Sequence, residues 1–164
     1  MNIIVISCEG KVFVRPDTTW ERDNEDFFVP DFVDRISASE VLFVRVSKPG
    51  RSVSAKFAER YYDGAGRGFL LYPEDMIDGS AEGFACACCL DHTSFLPFPI
   101  HGKEWLEEGC GARICEAIAL ATTFCHIRTG DIIAIELAPR KPLCSRADGR
   151  FDVNSGDNSF SIIY

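Results

Sequence analysis

A chain of 164 residues that is 46% hydrophobic and holds 13 Phe can bury one sizeable core and is short for two, so a single domain spanning 1–164 is expected. The formal net charge of −8, with 17 scattered basic residues, offers no electrostatic footprint for nucleic acid or an anionic membrane. The opening MNIIVISCEG has no basic region and no small-residue cleavage pattern, and no apolar stretch is long enough to span a bilayer, which points to a cytoplasmic protein whose eight cysteines are free thiols.

Short runs rich in Val, Ile and Phe, bounded by Gly, Pro, Asp or Ser, predict strands. The first is NIIVIS at 2–7, joined through SCEG to KVFVR at 11–15; EVLFVRVS at 40–47 runs into the turn SKPGRS. A helix follows, capped by Ser52 or Ser54 and reaching about Tyr62, in which Phe57 and Tyr61 share a face at i and i+4. GRGFLLY at 66–72 is the next strand, and FLPFPIHG at 95–102 reads as a loop. Ile114, Ile118 and Ala121 or Thr122 repeat at helical spacing in a second helix ending before His126. DIIAIELA at 131–138 and SFSIIY at 159–164 are the last strands, with RADGRFDVNSGDNS read as turns. The pattern is α+β and β-rich, with two helices at the sides of the strands.

KVFVRPDTTW, FFVPDFVDRI, SEVLFVRVSKPGRSVSAKFAERYYD and GRGFLLYPEDM occur in that order between residues 11 and 76, and TGDIIAIELAP begins at Thr129. Order and spacing together resemble the fumarylacetoacetate hydrolase family, whose members carry a (K/R)P-(D/S) turn, an E-x-E strand, a glycine turn, an amphipathic helix, a G-x-D-x-T-x-R-D segment and a late T-G-D strand. The resemblance implies a mixed β-sandwich or roll with two flanking helices. It also implies chemistry in which Mg²⁺, Mn²⁺ or Ca²⁺ polarises a 2-oxo acid, so that a carbon–carbon bond beside the ketone is cleaved or rearranged or an oxaloacetate-like acid loses CO₂.

The departures from that pattern fall on the chemistry. Two carboxylates at i and i+2 of a strand face one way and can grip one hard cation. With Arg45, Val46 and Gly50 fixing the register, the E-x-E positions are Ser39 and Val41; with Gly68 and Asp75 fixing the later segment, its carboxylate position is Leu70. Glu40 could enter only by a one-residue slip, which would turn Leu42, Val44 and Val46 outward, or by a bulge that restores one ligand. Glu74 stands where the family has Arg, Cys88 where it has Lys, and SCEG leaves no room for the loop that carries the family's His and its acidic partner. AIELAPRKP replaces the pocket loop after T-G-D. No metal and no cofactor is therefore expected.

These losses imply a shortened, degenerate homologue acting by association, as a homodimer or beside an active relative, with Phe95, Leu96, Phe98 and Trp105 as candidates for a contact surface or for core. The alternative is a hydrolase, isomerase or decarboxylase of 2-oxo acids with a rebuilt site using Glu40, Asp75, Asp91 and His92. A third reading comes from CACCLDH, where Cys86, Cys88, Cys89 and His92 offer soft ligands for a metal or redox site without a zinc-type spacing. Cys89 with His92, or Cys125 with His126, would need an orienting third group to make a thiol nucleophile, and His101 reads as an exposed loop residue.

Overall fold

The computed structural model describes residues 1–164. In chain order the elements are β1 (Asn2–Ile6), β2 (Val12–Pro16), β3 (Trp20–Glu21), β4 (Phe27–Phe28), β5 (Arg35–Val46), α1 (Ala55–Ala58), β6 (Tyr62–Pro73), α2 (Ala81–Ala87), β7 (Ser94–Phe95), α3 (Cys110–Phe124), β8 (Ile132–Glu136), β9 (Lys141–Ser145), β10 (Arg150–Ser155) and β11 (Asn158–Ile163). The architecture is α+β and β-rich. Its residues group into two compact units, and the long strands β5 and β6 contribute one half to each. No helix is long and apolar enough to cross a membrane.

The first unit comprises Met1–Asp17, Leu42–Gly66 and Pro99–Leu137. β1 and β2 form an antiparallel hairpin, with Ile3 opposite Arg15 and Val5 opposite Phe13. The SCEG segment is the hairpin turn, closed by the Gly10 amide donating to the Ser7 carbonyl, and Gly10 takes the positive φ of 76° that a side chain would resist. β8 lies parallel to β1. The buried side chains Leu42, Val44 and Val46 of β5 pack with Ile4, Ile6, Ile133 and Ile135 and with Ile114, Ile118 and Ala121 of α3. Full burial of each such aliphatic side chain contributes roughly 1.5–3 kcal/mol; β8 is buried on both faces, as a continuous apolar run requires, and α3 buries the face repeated at helical spacing.

The T-G-D turn is held by its own carboxylate. Asp131, 1% exposed, accepts from the amides of Asn2 and Arg128, and its carbonyl accepts from Val46, so the turn ties β8 to β1 and to the end of β5. α1 is shorter than the sequence suggests: after four residues with Ser54 as N-cap it tightens into a 3₁₀ turn over Glu59–Tyr61. Its inward residues are Val53, Ala58 and Tyr62, while Phe57 is 45% exposed with Lys56 and Arg60 against its ring. Of the expected face, the half-buried Tyr61 packs against the core and Phe57 does not.

The second unit comprises Thr18–Val41, Arg67–Phe98 and Ala138–Tyr164. β7 lies antiparallel to β6, with Phe69 opposite Phe95, and parallel to β3, with Glu21 opposite Phe95. β9 pairs antiparallel with the start of β5, and a separate sheet runs β10, β11, β4. Phe27, Val33, Ile36, Leu71, Phe95, Val153, Phe160 and Ile162 form its core. Gly68 is required by packing, because a Cβ there would strike the Phe95 carbonyl oxygen and the Leu96 side chain.

In this unit two sequence expectations are corrected and one left open is decided. Arg150–Ser155 is a strand, not a turn; only Val153 of it is fully buried, so its alternation is carried by polar residues. A third helix, α2, occupies the CACC segment, started by Ser80, whose Oγ accepts from the Gly83 amide. Phe95 and Leu96 are each 0% exposed and belong to the core, leaving Trp105, 36% exposed, and the half-buried Phe98 of the four residues considered for a contact surface.

Candidate functional site

β5 carries Ser39 and Val41 on one face and Glu40 on the other. Ser39 is 1% exposed, Val41 and Leu70 are 0% exposed, and Glu40 is exposed. The pairing of β5 with β9 shifts register between Ile36 and Ser37, but the unopposed residue is Leu143 of β9, so β5 carries no inserted residue before Glu40. Glu40 lies in solvent and Leu42, Val44 and Val46 stay in their core, so no slip brings a carboxylate to the buried face. The buried Ser39 hydroxyl has no hydrogen-bond partner.

Asp75 sits in a 3₁₀ turn directly after β6. One carboxylate oxygen accepts from the backbone amides of Asp34 and Arg35 at 2.9 and 2.8 Å, and the other meets the Arg35 guanidinium at 3.2 Å. Partial burial opposes ionisation, but the two amides and the arginine outweigh it and hold the carboxyl below the ordinary aspartate value. This carboxylate is engaged in fixing the chain that enters β5. Beside it, Glu74 pairs with Arg140 at 2.8 Å, and Arg140 also lies against the Tyr72 ring. The glutamate that reverses the family's arginine is thus an ion-pair partner on the surface of this unit.

A depressed folded-state pKa gives stability that is present above the unfolded value and lost as pH falls through the folded one. Asp75→Ala is therefore expected to lower stability by about 1 kcal/mol near neutrality, the surface exposure of the pair keeping the figure small. The difference from the wild type should close below the ordinary aspartate pKa of 3.8. Urea unfolding at pH about 7 and about 3 checks both halves.

His92 has a left-handed backbone, φ 55°, and its amide donates to the Thr18 carbonyl. Its Nδ1 lies 3.1 Å from Oε2 of Glu21, a residue 5% exposed whose other carboxylate oxygen accepts from the amides of Asp23 and Glu25. A buried carboxylate beside Nδ1 orients the imidazole. Glu21 is the residue sequence reasoning missed. It lies 71 positions from His92, and only the parallel pairing of β3 with β7 makes them neighbours. Asp91 is exposed in the same turn.

In the CACC segment Cys86 and Cys89 are exposed and Cys88 is buried; all eight cysteines are free thiols. No group of three or more His, Cys, Asp or Glu side chains converges as a metal site would require. The donor set implied for a hard cation is thus replaced by a buried hydroxyl and two buried aliphatic side chains, and it does not fit a divalent ion.

No family model and no curated protein matches the sequence. Solved structures do match its fold. A protein from Oleispira antarctica with the provisional name fumarylacetoacetate isomerase/hydrolase superposes with a TM-score of 0.76 at 15% identity, over 99% of this chain and 93% of that one. The fumarylpyruvate hydrolase from Pseudomonas aeruginosa, solved in complex with Mn²⁺ and pyruvate, gives 0.69 at 11% identity, over 81% and 76%. This is the fumarylacetoacetate hydrolase fold. Escherichia coli 1262, provisionally named an isomerase, has the same fold at a TM-score of 0.76 and 14% identity, over 99% and 91%. The fumarylacetoacetate hydrolase fold is kept here at an identity too low to carry activity with it.

Proposed function

We propose that the chain is a non-catalytic protein of the fumarylacetoacetate hydrolase fold that works by association, as a homodimer or beside an active relative. The observation that carries this reading is the burial of Ser39, Val41 and Leu70 where the fold's enzymes would present carboxylates to a cation. The exposed aromatic side chains speak for association. Phe28 is 71% exposed on β4, which pairs only with β11, and Phe32 is 65% exposed four residues later.

The alternative of a 2-oxo acid hydrolase, isomerase or decarboxylase rebuilt on Glu40, Asp75, Asp91 and His92 has less behind it. Both oxygens of Asp75 are engaged by Asp34 and Arg35, and Nδ1 of His92 is held by Glu21. For the homodimer, light scattering on the purified chain should give twice the mass of one chain, and Phe28→Glu with Phe32→Glu should return it to one. The same sample should turn over acylpyruvates and oxaloacetate no faster than Mn²⁺ alone does. A monomer that turns over either substrate contradicts both halves of the proposal.

A further inference from the structure

We propose that Cys86 and Cys89 form a reversible dithiol–disulfide pair, a modification site that takes a low-molecular-weight disulfide as its co-reactant. The two residues are spaced C-x-x-C at the end of α2, and both are exposed. The Cys89 amide donates to the Cys86 carbonyl at 3.0 Å, an i→i+3 bond. In such a 3₁₀-type turn the side chains at i and i+3 eclipse, so both sulfurs project on one side. Residues so placed have Cβ atoms about 5–6 Å apart in a regular helix, and the tighter terminal turn moves them toward the about 3.5–4.5 Å a disulfide spans. Cys88, between them, is 3% exposed and its amide donates to the Phe84 carbonyl, which turns it inward and removes it from competition.

The chemistry balances with oxidised glutathione. One of the two thiolates attacks a glutathione sulfur; that S–S bond breaks, a mixed disulfide forms and one glutathione thiolate leaves. The second cysteine gives its proton to solvent and attacks the protein-side sulfur, closing the Cys86–Cys89 bond and expelling the second glutathione thiolate. The cysteine sulfurs lose two electrons and the glutathione sulfurs gain two. A bridge of this kind in a protein of a reducing compartment is transient, formed when the thiol pool is oxidised and opened when it recovers.

Cys8, the other exposed cysteine, lies in the β1–β2 turn with no cysteine beside it in that turn, and serves as the internal control. After incubation with oxidised glutathione, mass spectrometry of the whole chain should show a stable glutathionyl group on Cys8. The 86–89 segment should be lighter by two hydrogens and restored by dithiothreitol. Cys86→Ser and Cys89→Ser, both at exposed positions, should each retain a glutathionyl group on the remaining partner, and Cys88→Ser should close the bridge as the wild type does. Stable glutathionyl groups on both Cys86 and Cys89 of the wild type would overturn the proposal. So would free thiols at both once Cys8 is fully modified, or a bridge that survives either exposed-site substitution.

Discussion

Leu70→Asp is expected to cost about 3–5 kcal/mol of folding stability, enough to unfold a domain of ordinary stability. The side chain is 0% exposed, so the new carboxylate would be buried without a compensating charge or would have to take up a proton to stay folded. This is the position at which the family resemblance expects a metal-binding carboxylate, so the substitution asks whether the cavity of an enzyme survives there. Urea unfolding with and without Mn²⁺ reads the answer. Stability within about 0.5 kcal/mol of the wild type, or recovery on adding Mn²⁺, would mean that the position reaches water or a cation.

Phe95→Ala should cost about 3–5 kcal/mol as well, for a different reason. The ring is 0% exposed and stacks on Phe160 with centroids 3.6 Å apart and planes 13° from parallel, within the cluster that holds Val33, Ile36 and Leu71. Truncation leaves a cavity bounded on one side by the Phe160 ring, and the strand cannot move in to fill it because β7 is paired on both edges. A loss below about 1 kcal/mol, measured by urea unfolding, would return Phe95 to the contact surface that the sequence left open beside the core.

The parts of the fold legible in the sequence are the continuous Val, Ile and Phe runs buried on both faces and the helix whose burial follows its period. Val41 to Val44 in β5 and Ile132 to Ile135 in β8 are buried without a break, and Ile114, Ile118 and Ala121 in α3 repeat as a helix facing one core must. Arg150–Ser155 was not legible because Val153 alone is fully buried, and Asp152 and Asn154 look like turn residues until β11 supplies their partner strand. Pro97 and Pro99 made Phe95 and Leu96 look like a loop, whereas the prolines lie beyond the two-residue strand and leave its pairing intact. In the candidate site the identities at 39, 41 and 70 were legible. What no local pattern carries is the set of partners: Asp34 and Arg35 for Asp75, Glu21 for His92, and Arg140 for Glu74.

Arg146 illustrates the same limit. One nitrogen of its guanidinium donates to the carbonyls of Pro30, Asp31 and Val33, and another to the Asp34 carboxylate, so a residue read as part of a turn stretch holds the segment that leads into β5. The contacts span more than a hundred positions of sequence and rest on the pairing of β9 with β5.

The central claim, a fumarylacetoacetate hydrolase fold without its metal-dependent reaction, is tested most directly by thermal unfolding of the purified chain with Mg²⁺, Mn²⁺ or Ca²⁺, each with and without oxalate as a mimic of a bound 2-oxo acid. A ligand that binds the folded state at 100 times its dissociation constant adds about 2.7 kcal/mol, which moves a midpoint by several degrees. The account predicts the same midpoint in every sample. A rise that requires both a cation and oxalate would contradict it and place a working 2-oxo acid site in this chain.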